Sequence, residues 1–212
     1  MTTKFQNKFR IESARLHNWD YRSDGSYFIT ICTKNREHFF GDIQNGNMIL
    51  TEIGQLAYQF WKEIPDHFPS IELGNFVIMS NHVHGILTIH GYNKNIIWDG
   101  NKPATSISSS LSSFVETLHC NVSTNDDNDD NKNDSKSKNE KMSKISPKPG
   151  SISTIIRSYK SVVTKHSKQF DSNFAWQSRF HDHIIRNRYS FYVIQKYIFN
   201  NPKNWENDRF NK

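Results

Sequence analysis

Two histidines separated by one residue form the first candidate site. His82 and His84 lie in HVHGILTI (82–89), a β-branched and aliphatic stretch that is typical of a β-strand. Side chains two positions apart on a strand point to the same face, so both imidazoles project together. Such a pair can chelate a divalent metal once a third ligand completes the site. The alternative is a chance pair, since the chain contains 10 histidines. A histidine-triad hydrolase is disfavoured, because Ile86 stands where that motif needs a third histidine.

A tyrosine four residues before an asparagine forms the second candidate site. Tyr197 and Asn201 are one helical turn apart, and such pairs share a helix face. Tyr189 and Tyr192 precede them, but neither has a metal-competent side chain four residues later. A phenol can attack a phosphorus centre and form a covalent intermediate, provided that a metal or cationic groups neutralise the phosphate oxygens. The alternative is that Tyr197 is a core residue of an amphipathic helix.

Hydrophobic periodicity predicts the elements that position these residues. β-strand patterns occur at 27–33, 75–79, 82–89 and 181–186, and a hairpin over 39–50 turns at Asn45-Gly46. Helical spacing predicts one helix after Thr51, one from Ile152, and a last one over 189–200 that ends before Pro202. This order predicts an α+β, ferredoxin-like split βαβ domain with a mainly antiparallel sheet. Helices would cover one face of the sheet, the C-terminal helix would carry Tyr197, and the other face would be free to hold a ligand.

A polar segment interrupts this pattern. The length of 212 residues fits a single domain over 1–212. An insert at about 91–150 includes 121–140, where 11 residues are Asn or Asp. Such a composition cannot bury enough apolar surface to offset its ordering entropy, so we predict a long disordered loop. Two cysteines exclude a disulfide scaffold. Without a signal peptide or an apolar run of ~18 residues, the sequence predicts a soluble intracellular protein with no membrane partner.

The positive charge of the chain is concentrated in its last third. Residues 152–212 contain 11 Lys or Arg and 4 Asp or Glu, whereas the rest of the chain is nearly balanced. Concentrated basic residues are typical of proteins that bind a polyanion, most often nucleic acid. The candidates for contacting phosphates are Arg157, Lys160, Lys168 and Arg186. The alternative is a solvated basic surface.

Three stretches of the sequence resemble one family of enzymes. They are VIMSNHVHGIL, WQSRFHDHIIR and QKYIFNNPKNW. Together they resemble the HUH single-tyrosine transposases, and within them the REP-associated tyrosine transposases. The resemblance extends over about residues 14–90 and 150–205, which is nearly everything outside the insert.

The resemblance implies a role for four residues. The two motif histidines of that family hold a divalent metal, Mg²⁺ or Mn²⁺, and here they are His82 and His84. The polar residue four positions after the family's tyrosine completes the metal site, and here it is Asn201. The family nucleophile corresponds to Tyr197. His183 and Asp182, on the strand before the tyrosine helix, could support the metal ligands or have a purely structural role.

The resemblance also implies a reaction and a partner. Tyr197 would attack a phosphodiester of single-stranded DNA, leaving a 5′-phosphotyrosine and a free 3′-hydroxyl, and a second 3′-hydroxyl would complete strand transfer. The implied partner is single-stranded DNA with a hairpin, in the cytoplasm of a prokaryote and near its nucleoid. Some members of the family share active sites across a homodimer and others act alone, so the sequence leaves both states open.

Two departures from the family pattern keep alternatives open. The insert is atypical, and Ser80 stands where the family often has proline. An HUH nickase for plasmid or phage replication has the same fold and chemistry, and a DNA-binding protein that has lost catalysis has the same fold alone. The YI..NP ending and the absence of a helicase or second domain in the sequence favour the transposase over the nickase. The presence of both histidines, the tyrosine and the asparagine argues against the silent protein.

Overall fold

A four-stranded antiparallel sheet forms the centre of the molecule. The computed structural model describes Leu16, residues 19–91 and residues 148–211. The strands of this sheet are β1 (Gly25–Cys32), β4 (Ile71–Ile78), β5 (His82–Ile89) and β6 (His181–Ile185), in the order β4-β5-β1-β6. The helices between and after them are α1 (Glu52–Lys62), α2 (Ile64–His67), α3 (Ile152–Ser167) and α4 (Arg188–Asn200). A βαββαβ order with the first strand in the sheet interior confirms the predicted ferredoxin-like arrangement.

Local sequence signals explain where these elements begin and turn. A separate hairpin joins β2 (Gly41–Gln44) to β3 (Asn47–Leu50). Its turn residues Asn45 and Gly46 have φ of 51° and 73°, which favours an Asn-Gly pair and confirms the predicted turn. The Thr51 side chain accepts a hydrogen bond from the Gly54 backbone N–H and caps α1. Ser151 caps α3 in the same way through Thr154.

Helices α1 and α3 cover one face of the sheet. The side chains of β1 alternate, and Tyr27, Ile29 and Ile31 enter the main core, where none is exposed. The two helices contact each other, and the Tyr159 hydroxyl of α3 donates to the Ala57 carbonyl of α1 at 3.0 Å. This layer holds the largest hydrophobic cluster of the described residues.

Helix α4 covers the opposite face of the sheet, whereas the sequence predicted that this face would be free to hold a ligand. Helix α4 lies on it against β4 and β5, and Ile198 packs with Ile86 and Ile185. A 3₁₀-helix, Pro202–Asn207, then leads the chain back over the sheet to Phe210. The expectation was wrong because α4 and the segment after it carry their own apolar residues, which need a surface to cover.

The insert predicted at about 91–150 lies between β5 and α3. Residues 92–147 are outside the described part of the chain, and the prediction of a disordered loop stays a prediction. Among the described helices, none combines the length and the apolar composition needed to cross a membrane.

Candidate active site at the histidine pair

His82 and His84 lie side by side at the start of β5. Their ring centroids are 4.4 Å apart, and they are 0% and 1% exposed. Both rings lie on the face of the sheet that α4 covers, which confirms the prediction that they share one side. Val83, between them, enters the main core on the other side.

Asn81 fixes the orientation and the tautomer of His82. The Asn81 amide nitrogen donates to the backbone carbonyls of Arg36 and Phe210, at 3.1 and 2.9 Å. Its oxygen therefore faces His82 and lies 2.8 Å from Nδ1, which must carry the proton. The lone pair of His82 then lies on Nε2, the atom that a metal would bind.

Thr30 and Tyr197 hold His84 from two sides. The Thr30 hydroxyl lies 2.9 Å from Nδ1, and the Tyr197 hydroxyl lies 3.2 Å from Nε2. Both contacts are satisfied when Nδ1 donates to Thr30 and Nε2 accepts from the phenol. Tyr197 is 40% exposed, so the predicted nucleophile contacts a buried histidine on one side and solvent on the other.

Asn201 completes the cluster from the end of α4. Asn201 is 1% exposed, and it is close enough to His82 to counteract slightly the lowering of the His82 pKa. Within the described ranges, His82 Nε2 and Asn201 Oδ1 are buried atoms without a hydrogen-bond partner. These two atoms and His84 Nε2 each have a lone pair available. Together they form a set of ligand atoms that suits a divalent metal.

The amide is essential to that set. No group of three or more His, Cys, Asp or Glu side chains in the described ranges could hold a metal. The residues present therefore fit the predicted metal only with Asn201 as the third ligand.

Burial keeps the site groups uncharged. Burial, with a smaller contribution from the Arg36 and Arg209 charges, lowers the pKa of His82 to about 3. Burial also lowers the pKa of His84 well below its usual value, with a smaller contribution from His82. The pKa of Tyr197 is raised, first by burial and then by the carboxylate of Asp208. At neutral pH the histidines are neutral, which is the form that binds a metal, and the phenol is protonated.

The C-terminal segment covers the histidines. The Phe210 ring lies 4.5 Å from the His82 ring and 5.7 Å from the His84 ring, measured between centroids. The guanidinium carbons of Arg36 and Arg209 lie 5.0 and 4.7 Å from the Phe210 centroid. These two arginines bring positive charge next to the site, and neither was among the residues predicted from sequence.

A groove lies along α4 on the solvent side of Tyr197. Its volume is about 350 Å³. It is lined by Tyr189, Tyr192, Val193, Lys196, Tyr197, Asn200 and Asn204. Tyr189 and Tyr192 are 78% and 62% exposed, which is unusual for large aromatic side chains.

Asp182 and His183 lie on β6, which β1 separates from β5. Asp182 pairs with Ile29 in the strand register, which places it on the core side of the sheet. His183 is exposed and opposite Phe28. The residue in the same cross-strand row as His84 is His181, since both lie opposite Thr30. His181 also lowers the pKa of His84, and the register needed to find it was not readable from sequence.

Most of the predicted phosphate contacts lie on the other side of the sheet from Tyr197, and their role stays a prediction. Arg157, Lys160 and Lys168 belong to α3 or its C-terminal cap, across the sheet from α4. The Lys160 ammonium donates to the backbone carbonyls of Gln177 and Arg179, at 2.7 and 3.2 Å. Arg186 is exposed just before α4.

Comparison with known proteins places the chain in a family. No family model matches it. An uncharacterized protein of Haemophilus influenzae strain Rd is 35% identical over 219 residues, covering 99% of this chain and 98% of that protein. The chain belongs to the family of this protein. Among solved structures it is similar to a REP-associated tyrosine transposase bound to a REP hairpin, with a TM-score of 0.49, 17% identity, and coverage of 92% of this chain and 74% of that one.

Proposed function

We propose that this protein is a tyrosine transposase-type enzyme that cleaves and rejoins single-stranded DNA. The observation that carries the proposal is the contact between the Tyr197 hydroxyl and His84 Nε2, at 3.2 Å, beside the unsatisfied His82 and Asn201 atoms. The candidate nucleophile and the three candidate metal ligands, which come from two separate parts of the sequence, thus lie close together, and this supports the proposal. The three sequence stretches that resemble the HUH single-tyrosine transposases support the same reading.

The reaction is a transesterification at phosphorus. The Tyr197 oxygen forms a bond to the phosphorus, the bond to the 3′ oxygen breaks, and the phenolic proton leaves through the neighbouring acceptors or water. The 3′ oxygen takes up a proton and departs as a 3′-hydroxyl. A second 3′-hydroxyl then attacks the 5′-phosphotyrosine, which restores the phenol without ATP. Mg²⁺ or Mn²⁺ held by His82, His84 and Asn201 would stabilise negative charge on the phosphate oxygens.

The groove along α4 is the proposed path of the strand. It borders Tyr197 on the side that is open to solvent, and Lys196 brings a positive charge to it. The exposed rings of Tyr189 and Tyr192 offer surfaces on which bases can stack without sequence preference. We propose single-stranded DNA with an adjacent hairpin as the partner, as the sequence resemblance implies.

One copy of the chain supplies the whole candidate site. His82, His84, Tyr197 and Asn201 meet within a single chain. We therefore propose that cleavage does not need a residue from a second protomer, whether or not the protein forms a homodimer.

The test is the formation of a covalent adduct. Purified full-length protein is incubated with Mn²⁺ and labelled single strands from the flanks of its own gene, and denaturing gels reveal any protein–DNA adduct. We expect an adduct with the wild type, none in EDTA, and none with Tyr197→Phe, which loses only the hydroxyl. Tyr189→Phe and Tyr192→Phe are matched controls on the same helix and should form the adduct. An adduct that persists with Tyr197→Phe would contradict the assignment of the nucleophile.

A catalytically silent DNA-binding protein is the second candidate. The observation that favours it is the cover over the histidines, which are 0% and 1% exposed beneath Phe210. Under this alternative the wild type retains labelled single strands but forms no adduct at any Mn²⁺ concentration. The same gels, run beside a filter-binding assay, separate the two candidates.

A further inference from the structure

Asp208 binds the amide of Asn201 from the end of the C-terminal 3₁₀-helix. The Asn201 amide nitrogen donates to Asp208 Oδ2 at 2.9 Å. The other carboxylate oxygen, Oδ1, accepts from the Phe210 backbone N–H at 2.8 Å. Both oxygens of the carboxylate are thus used, one by the candidate metal ligand and one by the segment that covers the site.

We propose that Asp208 is a positioning residue that makes Asn201 a metal ligand. This inference rests on the proposed function, because it assumes that the cluster holds a divalent metal. A carboxamide has an oxygen that can bind a metal and an NH₂ group that cannot, and either can face His82. A carboxylate accepts hydrogen bonds and cannot donate them, so Asp208 holds the nitrogen on its own side. The Asn201 oxygen is then directed at the site.

The surroundings of Asn201 make this orientation consequential. Asn201 is 1% exposed, so water cannot satisfy a misplaced amide. Rotation of the amide by 180° would place its oxygen against the carboxylate of Asp208 and its NH₂ group towards His82. Partners that orient metal ligands in this way typically change metal affinity by about 10–100-fold when they are removed.

The negative charge of Asp208 acts in the same direction. It raises the pKa of Tyr197 and opposes the lowering of the pKa of His84, so the carboxylate is electrostatically close to both. A carboxylate close to the histidines also favours the binding of a cation there. Asp208 therefore orients one ligand and strengthens the attraction of the cluster for a metal.

The test is Mn²⁺ affinity, measured on the full-length protein without DNA. Free Mn²⁺ is followed by its paramagnetic resonance signal during titration of the wild type and of Asp208→Asn. Asparagine at 208 has an oxygen at only one of the two carboxylate positions and an NH₂ group at the other, so one of the two donors, the Phe210 N–H or the Asn201 amide, faces another donor. We expect Asp208→Asn to bind Mn²⁺ about 10–100-fold more weakly. Glu206→Gln, which removes an exposed carboxylate from the same 3₁₀-helix, is the charge-matched control and should bind like the wild type.

A reciprocal exchange separates orientation from loss of fold. In Asn201→Asp combined with Asp208→Asn, the amide at 208 can donate to the carboxylate at 201 and accept from Phe210 N–H. The remaining carboxylate oxygen at 201 then faces the histidines, and we expect Mn²⁺ binding to return to within a few-fold of the wild type. In NMR spectra, the Asn201 side-chain NH₂ should be protected from solvent exchange in the wild type and lose that protection in Asp208→Asn.

The outcomes are distinguishable. A wild type that binds no Mn²⁺ overturns the proposed metal site, and the inference with it. A wild type that binds Mn²⁺ no more tightly than Asp208→Asn overturns the role of Asp208 and leaves the proposed function standing. Weak binding by Asp208→Asn that the reciprocal exchange does not restore also overturns the positioning role, because the loss would then follow from a damaged fold.

Discussion

Replacing Thr30 with valine removes one buried hydroxyl from the candidate site and changes little else. Thr30 is 4% exposed, and its hydroxyl lies 2.9 Å from His84 Nδ1. Valine has nearly the same shape, so the packing around position 30 is retained. His84 Nδ1 loses its partner inside a residue that is only 1% exposed.

The expected cost follows from that unsatisfied nitrogen. A buried polar atom left without a partner costs about 1–3 kcal/mol. For a domain of this size, 1 kcal/mol changes the melting temperature by about 2–4 °C, so we expect Thr30→Val to melt about 2–12 °C below the wild type. The ring of His84 is also freed to rotate, and loss of such a partner typically weakens metal binding by about 10–100-fold.

Thermal unfolding and Mn²⁺ titration of the full-length protein measure both effects. Thr88→Val is the matched control. Thr88 lies on the same face of β5 as His84, and its hydroxyl forms a hydrogen bond with the Ser26 hydroxyl at 2.9 Å. We expect the control to bind Mn²⁺ like the wild type. If Thr30→Val binds Mn²⁺ as tightly as Thr88→Val does, Thr30 does not orient His84 and the reasoning from that hydrogen bond is refuted.

Three further predictions follow from charge and composition. In the folded chain the pKa of His82 is about 3 and that of His84 lies well below the unfolded value of 6.5. Below pH 6.5 these two histidines therefore take up protons in the unfolded chain before they do so in the folded chain. The free energy of unfolding should therefore fall by about 2 kcal/mol between pH 7 and pH 5 from His82, and His84 should change it in the same direction; urea unfolding measures this, and a flat profile would contradict the burial argument. Lys196→Glu, beside the groove, should weaken single-strand binding and flatten its salt dependence by about 0.7 in log K against log salt, whereas Lys168→Glu, across the sheet, should change it less; equal losses would contradict the proposed strand path. Replacing residues 121–147 with a short Gly/Ser linker should leave the melting temperature within a few degrees, since loop length affects stability only logarithmically, and a large drop would show that the segment packs.

The sequence predicted the sheet because its signals are local. Strand β5 was predicted over the same residues that the structure shows, and helix α4 was predicted to within one residue at its start. Alternation along β5 is enough to place His82 and His84 on one face of the sheet. The Tyr197–Asn201 pair followed from helical spacing alone, and the fold brings both residues to the histidines.

The neighbours of these four residues could not be predicted from local sequence signals. Asn81 orients His82 through carbonyls of Arg36 and Phe210, which lie 45 and 129 residues away in the chain. The pairing of His181 with Thr30 depends on the register of β6, which alternation does not set. Asp208 contacts Asn201 because Pro202–Asn207 forms a 3₁₀-helix, and a stretch so short has no periodicity to read.

The cover over the histidines and the orientation of Asn201 depend on the same short turn. Phe210 shields both rings, and its backbone N–H is bound by the carboxylate that also holds the Asn201 amide. Under the proposed function, a phosphodiester at the histidines would have to share the space beneath Phe210, because both rings are buried there. The two contacts of Asp208 are independent, because its Oδ1 accepts from the Phe210 backbone N–H and its Oδ2 accepts from the Asn201 amide. The carboxylate can thus keep the candidate ligand in place while the ring moves aside, which an apolar residue at position 208 could not do.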